Sequence, residues 1–125
     1  MAIATGLVAL HIADDSFLQP APGTSAADHL AGGLVPVAVL GFGAWAYPRV
    51  RRGARAVIAL LTGLFGVVVG VSEAGYYALK VGPSGDDYSG LLAVPAGAFL
   101  LGLGLWTLWK SRKLDMLWRR YCAEH

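Results

Sequence analysis

Apolar and polar positions alternate along this chain in long blocks, with neither the period of two of a strand nor the period of 3.6 of a water-soluble helix. The longest block, Ala56 to Leu79, reads AVIALLTGLFGVVVGVSEAGYYAL and carries one charge, Glu73. At a rise of ~1.5 Å per residue it makes a helix of roughly 36 Å, enough to cross a hydrocarbon core of ~30 Å. Two further blocks are long enough to span, from about Ala26 to Tyr47 and from Leu91 to Trp109. Met1 to Ala13 is shorter, and reaches only ~27 Å if its helix continues through Asp14 and Asp15 to Leu18. It is read as a short span, with an interfacial helix as the alternative.

The breaks between blocks carry turn chemistry. Pro20 and Pro22 end the first element, and Ser25 followed by Asp28 has the shape of a capping box at the start of the second. Pro36 lies inside the second helix and predicts a kink near Gly32. Pro48–Arg55 (PRVRRGAR) and Val81–Gly90 (VGPSGDDYSG) are short polar loops. Lys110–Tyr121 repeats Leu114, Leu117, Trp118 and Tyr121 at helical spacing over a basic opposite face. That is the pattern of an amphipathic helix at a lipid surface, or of the last span continuing into water. The expected fold is all-α: one integral membrane domain, 1–125, forming a four-helix bundle. Its helices fall at about 2–18, 26–47, 55–80 and 90–110, with a juxtamembrane amphipathic segment at 110–122.

Small residues mark one face of the central helix. Gly66, Gly70, Ala74 and Ala78 recur every four positions, and Ala59 and Gly63 extend the stripe by a turn. Such spacing lets a second helix backbone come close, either inside the bundle or in a homo-oligomer. Glu73 sits beside that stripe, about two turns below the outer end of the span. Facing lipid would cost an acid there on the order of 2.5–3.5 kcal/mol, so it is expected to point into protein.

Composition agrees with a membrane protein: 56% of residues are hydrophobic and 14% charged, against roughly 25% charged in soluble domains. A net charge of +2 gives no footprint for nucleic acid. Cys122 is the single cysteine, which excludes an intrachain disulfide and a cysteine-based zinc site. Met1–Leu10 lacks the basic start of a secretory signal peptide. The basic residues instead orient the chain. Arg49, Arg51, Arg52, Arg55, Lys110, Arg112, Lys113, Arg119 and Arg120 fall on one side, and Lys80 is the one base on the other. By the positive-inside rule the arginine loop and the C-terminus face the cytoplasm and the aspartate loops face out. Trp45, Tyr47, Trp106 and Trp109 suit an aromatic belt at the inner interface. The excess of Arg over Lys, with abundant Ala, Gly and Val, points to a bacterial genome, and hence to the bacterial inner membrane.

Candidate chemistry gathers at the outer side. His11 and Asp15 share a helix face, with Asp14 beside them, and Asp28 and His29 begin the second helix at the same level. Glu73 lies below, and Asp86 and Asp87 sit in the outer loop. Two imidazoles with several carboxylates are the ligand types of a zinc, manganese or iron site. His11, Asp15, His29 and Glu73 are the candidate metal ligands. Each residue also has a plainer reading: Asp28 as a helix-start acid, Asp14 and Asp15 as a water-facing helix end, Asp86 and Asp87 as turn residues, and the histidines as hydrogen-bond partners. H-x-x-D-D is not a specific motif. No catalytic residue is assigned: Gly70-Val-Ser72-Glu73-Ala-Gly75 lacks the spacing of a nucleophile elbow, and no phosphate-binding or dinucleotide fingerprint is present. No organic cofactor is expected, and a divalent metal is the one these residue types admit.

The segments HIADDSFLQPAPGTSAADHL (11–30) and GPSGDDY (82–88) together carry a resemblance. Over roughly residues 5 to 112 the chain resembles the N-terminal membrane region of actinobacterial membrane-anchored α/β-hydrolases of the dienelactone-hydrolase type. In those proteins a further span and a hydrolase domain follow. The nucleophile elbow and triad of that domain have no counterpart among these 125 residues, so the resemblance implies a membrane module and no catalytic role for any residue. Three readings of function follow. The first is a structural or partner-binding membrane module, whose partners are the bilayer and a homo-oligomer or another membrane protein. The second is an outer-face metal-dependent enzyme or ion-binding protein using the His/Asp/Glu cluster. The third is a small dimeric transporter with Glu73 as the coupling carboxylate.

Overall fold

The computed structural model describes residues 1–18, 23, 25–76 and 88–124. Helix α1 (Ala2–Ala13) continues into one wider π-helical stretch, Asp14–Leu18, followed in the chain by α2 (Leu30–Ala46), α3 (Arg52–Tyr76) and α4 (Tyr88–Glu124). A single 3-10 turn, Tyr47–Arg49, links α2 to α3. No strand occurs among the described residues. Three of the helices are long and apolar enough to cross a membrane, beginning at Leu30, Arg52 and Ser89.

The core is a hairpin of α3 and α4 built on small residues. Ala56, Ala59, Gly63, Gly66 and Gly70 are buried on α3, and Gly90, Ala93, Ala96, Gly97, Leu100 and Gly104 on α4. The α4 glycines recur every seven residues, so they stay on one seam of the helix pair. Backbones touch along that seam. A methyl group on Gly97 would lie 2.6 Å from Val67 N and 2.7 Å from Gly63 O, and one on Gly70 would lie 2.9 Å from Gly90 O. The small-residue stripe expected on α3 is therefore covered by α4 of the same chain. Ala59, Gly63, Gly66 and Gly70 are buried in it and Ala74 is half-buried, while Ala78 lies outside the described residues.

Helix α1 runs alongside this hairpin. Val8, fully buried, reaches to 2.7 Å of where a Gly66 side chain would begin. One turn on, His11 meets Glu73 near the other end of α3, so the two helices run in the same direction. Ala4, Val8 and Ile12 join Leu40, Ala96 and Leu100 in one apolar cluster. Helix α2 rests mainly on α1. Its Gly33 abuts Phe17 and Ser16 of the π-helical stretch, where a methyl group would come within 2.6 Å of both. α2 is unbroken across Pro36.

The helix bounds differ in detail from the sequence expectation. The second helix begins at Leu30, after a run of turns from Ala26 to His29. Of the two readings of the amphipathic segment, the structure has the last helix continuing: α4 runs 37 residues to Glu124, or roughly 55 Å. No Gly or Pro interrupts it after Gly104, so nothing in the chain stops the helix at the end of its apolar stretch. Residues 112–124 are exposed.

The outward surface is apolar: Val35, Phe42, Leu61, Val68, Leu92, Phe99 and Leu105 are each more than half exposed. That is the surface expected where lipid is the solvent. Its lower rim is an aromatic and cationic belt. Arg49 sits 4.4 Å over the Trp45 ring, Lys110 5.0 Å over Trp106 and Lys113 5.5 Å over Trp109. Each pair is four residues apart on a helix or at its end, the spacing at which side chains meet. Arg55 ties the preceding turn, donating from Nε to Val50 O at 3.0 Å and from Nη2 to Pro48 O at 2.8 Å.

Candidate functional site

Three helices deliver one polar group each to a single point near the aspartate-bearing end of the bundle. His11, from the last turn of α1, is 2% exposed. Its Nε2 lies 2.8 Å from Glu73 Oε2 on α3, and Glu73 is itself only 14% exposed. Its Nδ1 lies 3.1 Å from the Ser89 hydroxyl at the start of α4. Asp15 Oδ1 stands 3.9 Å from the same Nδ1 and is 44% exposed. Gly90 closes the floor: a methyl group there would lie 3.4 Å from Glu73 Oε2 and 3.5 Å from His11 Cε1. The imidazole is thus clamped between a carboxylate on one edge and a hydroxyl with a more distant carboxylate on the other.

The local sequence explains the arrangement. His11 falls three residues after Val8 on the buried face of α1, so the packing that buries Val8 also points the ring at the hairpin. Asp15 follows at i+4, on the π-helical stretch, a rare winding often found at functional sites. Glu73 faces inward, as expected of an acid on an apolar helix.

The Ser89 hydroxyl can serve Nδ1 as donor or as acceptor. With the ring neutral, Ser89 Oγ–H donates to Nδ1. With the ring protonated, Nδ1–H donates to Ser89 Oγ with Asp15 behind it. Either state has a partner in place. A metal ion fits less directly. One ligand atom each from His11, Asp15 and Glu73 lie within 4.8 Å of one another, but the two carboxylates address opposite nitrogens of one ring. Two ligands on a tetrahedral ion with bonds of ~2.1 Å stand about 3.4 Å apart, wider than the 2.8 Å between His11 and Glu73. An ion would enter only after that contact opened.

The other expected residues lie elsewhere or beyond description. His29, half-buried, occupies the N-cap position of α2, and its carbonyl accepts from Gly33 N–H at 2.8 Å. It is not among the three converging groups. Asp14 is the C-cap residue of α1. Asp86 and Asp87 lie outside the described residues. Ser89 is not among the residues the sequence singles out, because the last apolar block begins at Leu91. α4 starts at Tyr88, which brings Ser89 onto the helix and into the site.

Asp28 pairs with Ser25 as the spacing suggested, but in the turns ahead of α2, whose N-cap is His29 without a side-chain cap. Its Oδ2 accepts from Ser25 N–H at 2.8 Å and from Ser25 Oγ–H at 2.7 Å. Those two hydrogen bonds hold its carboxyl below the ordinary carboxylate value of 3.8. A depressed folded-state value means stability that is present above the unfolded pKa and lost as pH falls through the folded one. The Ser25 amide is therefore expected to exchange faster as pH drops below about 4, after correction for intrinsic exchange. An Asp28→Asn variant should show no such change; equal profiles would remove the role.

Comparison with family models, with curated proteins and with solved structures gives no match for this chain.

Proposed function

We propose that this chain is a structural or partner-binding module of the bacterial inner membrane, with its arginine turn and C-terminus in the cytoplasm and its aspartate loops outside. The observation that carries the reading is the His11 clamp. It joins α1, α3 and α4 at one buried point, which is what a rigid scaffold needs and leaves no ring nitrogen directed at a substrate. The glycine seam between α3 and α4 supports the same reading, because it is closed within the chain. The resemblance to the membrane region of anchored hydrolases is consistent with a module that accompanies another protein. Cross-linking in native membranes is expected to trap a defined partner or homo-oligomer; a strict monomer would count against it. Orientation is separately readable. Cys122, the single cysteine and exposed, should react with an impermeant maleimide only after the cells are permeabilised.

A second reading, a divalent-cation site, is favoured by the convergence of His11, Asp15 and Glu73. It expects stoichiometric metal in detergent-purified protein and a lower melting temperature with chelator. Metal-free protein with unchanged melting would eliminate it.

A further inference from the structure

At the end of the bundle opposite His11, the start of α3 faces the middle of α4 across a cavity of about 220 Å³. Its wall includes Tyr47, Arg52, Arg55, Trp106, Thr107 and Lys110, and none of its lining residues is acidic. Three cations thus share one concave space. The first-turn N–H groups of α3 open at the same end and add the positive pole of the helix dipole. Arg55 is fixed by its two bonds to the Val50 and Pro48 carbonyls, so one guanidinium is already held in place. Lys110 is steadied over the Trp106 ring. The Thr107 and Ser111 hydroxyls already donate to Leu103 O at 2.7 Å and to Leu108 O at 2.8 Å, which leaves the cations as the main donors to an anion. Leu103 and Trp106 add an apolar part to the cavity wall. Cations beside apolar side chains suit an amphiphile with an anionic head.

We infer that this cavity binds a phosphate-bearing anion through Arg52, Arg55 and Lys110. Two sources share that chemistry: the headgroup of an acidic phospholipid and a free phosphate. The inference rests on the geometry of the cavity, and phosphate binding in micelles does not depend on how the chain is oriented in a membrane.

The test uses the full chain in a neutral maltoside micelle. Phosphatidylglycerol, phosphatidylcholine or inorganic phosphate is added, and retention is read by native mass spectrometry together with melting temperature. Phosphatidylglycerol is expected to be retained over phosphatidylcholine. Arg52→Gln with Lys110→Gln should weaken that retention roughly 30-fold, as expected for the loss of two cations at a lipid surface. Neither side chain ties the turn, so the ligand-free melting temperature should hold. Arg112→Gln with Lys113→Gln removes equal charge outside the cavity and should cost no more than about threefold. Inorganic phosphate that binds with the same variant dependence would identify a free oxyanion as a ligand; phosphatidylglycerol alone would identify the lipid. Equal retention of the two lipids with no phosphate binding, or equal losses in both variant pairs, would overturn the inference.

Discussion

Replacing Gly97 with alanine is expected to lower the melting temperature of the detergent-purified protein by roughly 10 °C, about 3 kcal/mol for a chain of this size. The same change at Gly102, five residues along the same helix, should be neutral or slightly stabilising. The two positions differ in what the new methyl group meets. At Gly97 it would lie 2.6 Å from Val67 N and 2.7 Å from Gly63 O, which are backbone atoms of α3. A side chain could rotate away, whereas a helix backbone cannot, so α3 and α4 must separate along the seam. Separation loosens the packing that replaces the hydrophobic effect as the main source of helix association in lipid. At Gly102 nothing lies within 4 Å, and alanine is the better helix former by up to ~1 kcal/mol. Differential scanning fluorimetry on the two variants is sufficient. Similar melting temperatures would show that α3 and α4 do not touch where they are placed here.

The second large effect is expected at the His11 clamp. Glu73→Ala should destabilise the protein by about 2 kcal/mol. That lies below the 3–5 kcal/mol typical of breaking a buried ion pair in water-soluble proteins and slightly above the ~1.7 kcal/mol maximum of polar couplings within membranes. The intermediate value follows from burial. His11 is 2% exposed and Glu73 14%, so water replaces the lost partner poorly. His11→Ala should cost a similar amount. The double variant should cost clearly less than the sum, since each single change removes the same His11–Glu73 contact. Glu73→Gln keeps the shape and a polar group facing the ring, so it should cost under half as much. Asp15→Ala should cost less than about 0.5 kcal/mol, because an acid 44% exposed interacts across solvent. Additive costs at positions 11 and 73 would show that the two side chains do not meet.

Much of this architecture was legible from residue order alone, because the length and apolarity that would let a helix span a membrane are local properties. A helix such as α3 (Arg52–Tyr76) needs only length and apolarity to be recognised, and its backbone hydrogen bonds close within the segment. Three long apolar helices and the inward-facing Glu73 follow from that. So does the Ser25–Asp28 pairing, which joins residues three apart. Gly90, Gly97 and Gly104 carry a further local signal, a second small-residue face on the last helix with a period of seven.

Pairing between distant segments was decided only by the tertiary structure. The stripe on α3 could have served a second copy as well as α4, since small side chains permit close approach without naming a partner. Which of eight outer-side polar residues would meet depended on helix rotation and on where α4 begins, neither of which a local pattern encodes. His11 and Asp15 were legible as neighbours at i and i+4, but the approach of Glu73 and Ser89 to the ring follows from α1 lying along the α3–α4 hairpin. The basic cavity was invisible for the same reason: Arg52 and Lys110 stand 58 positions apart in the chain, and the antiparallel hairpin alone brings them to one level.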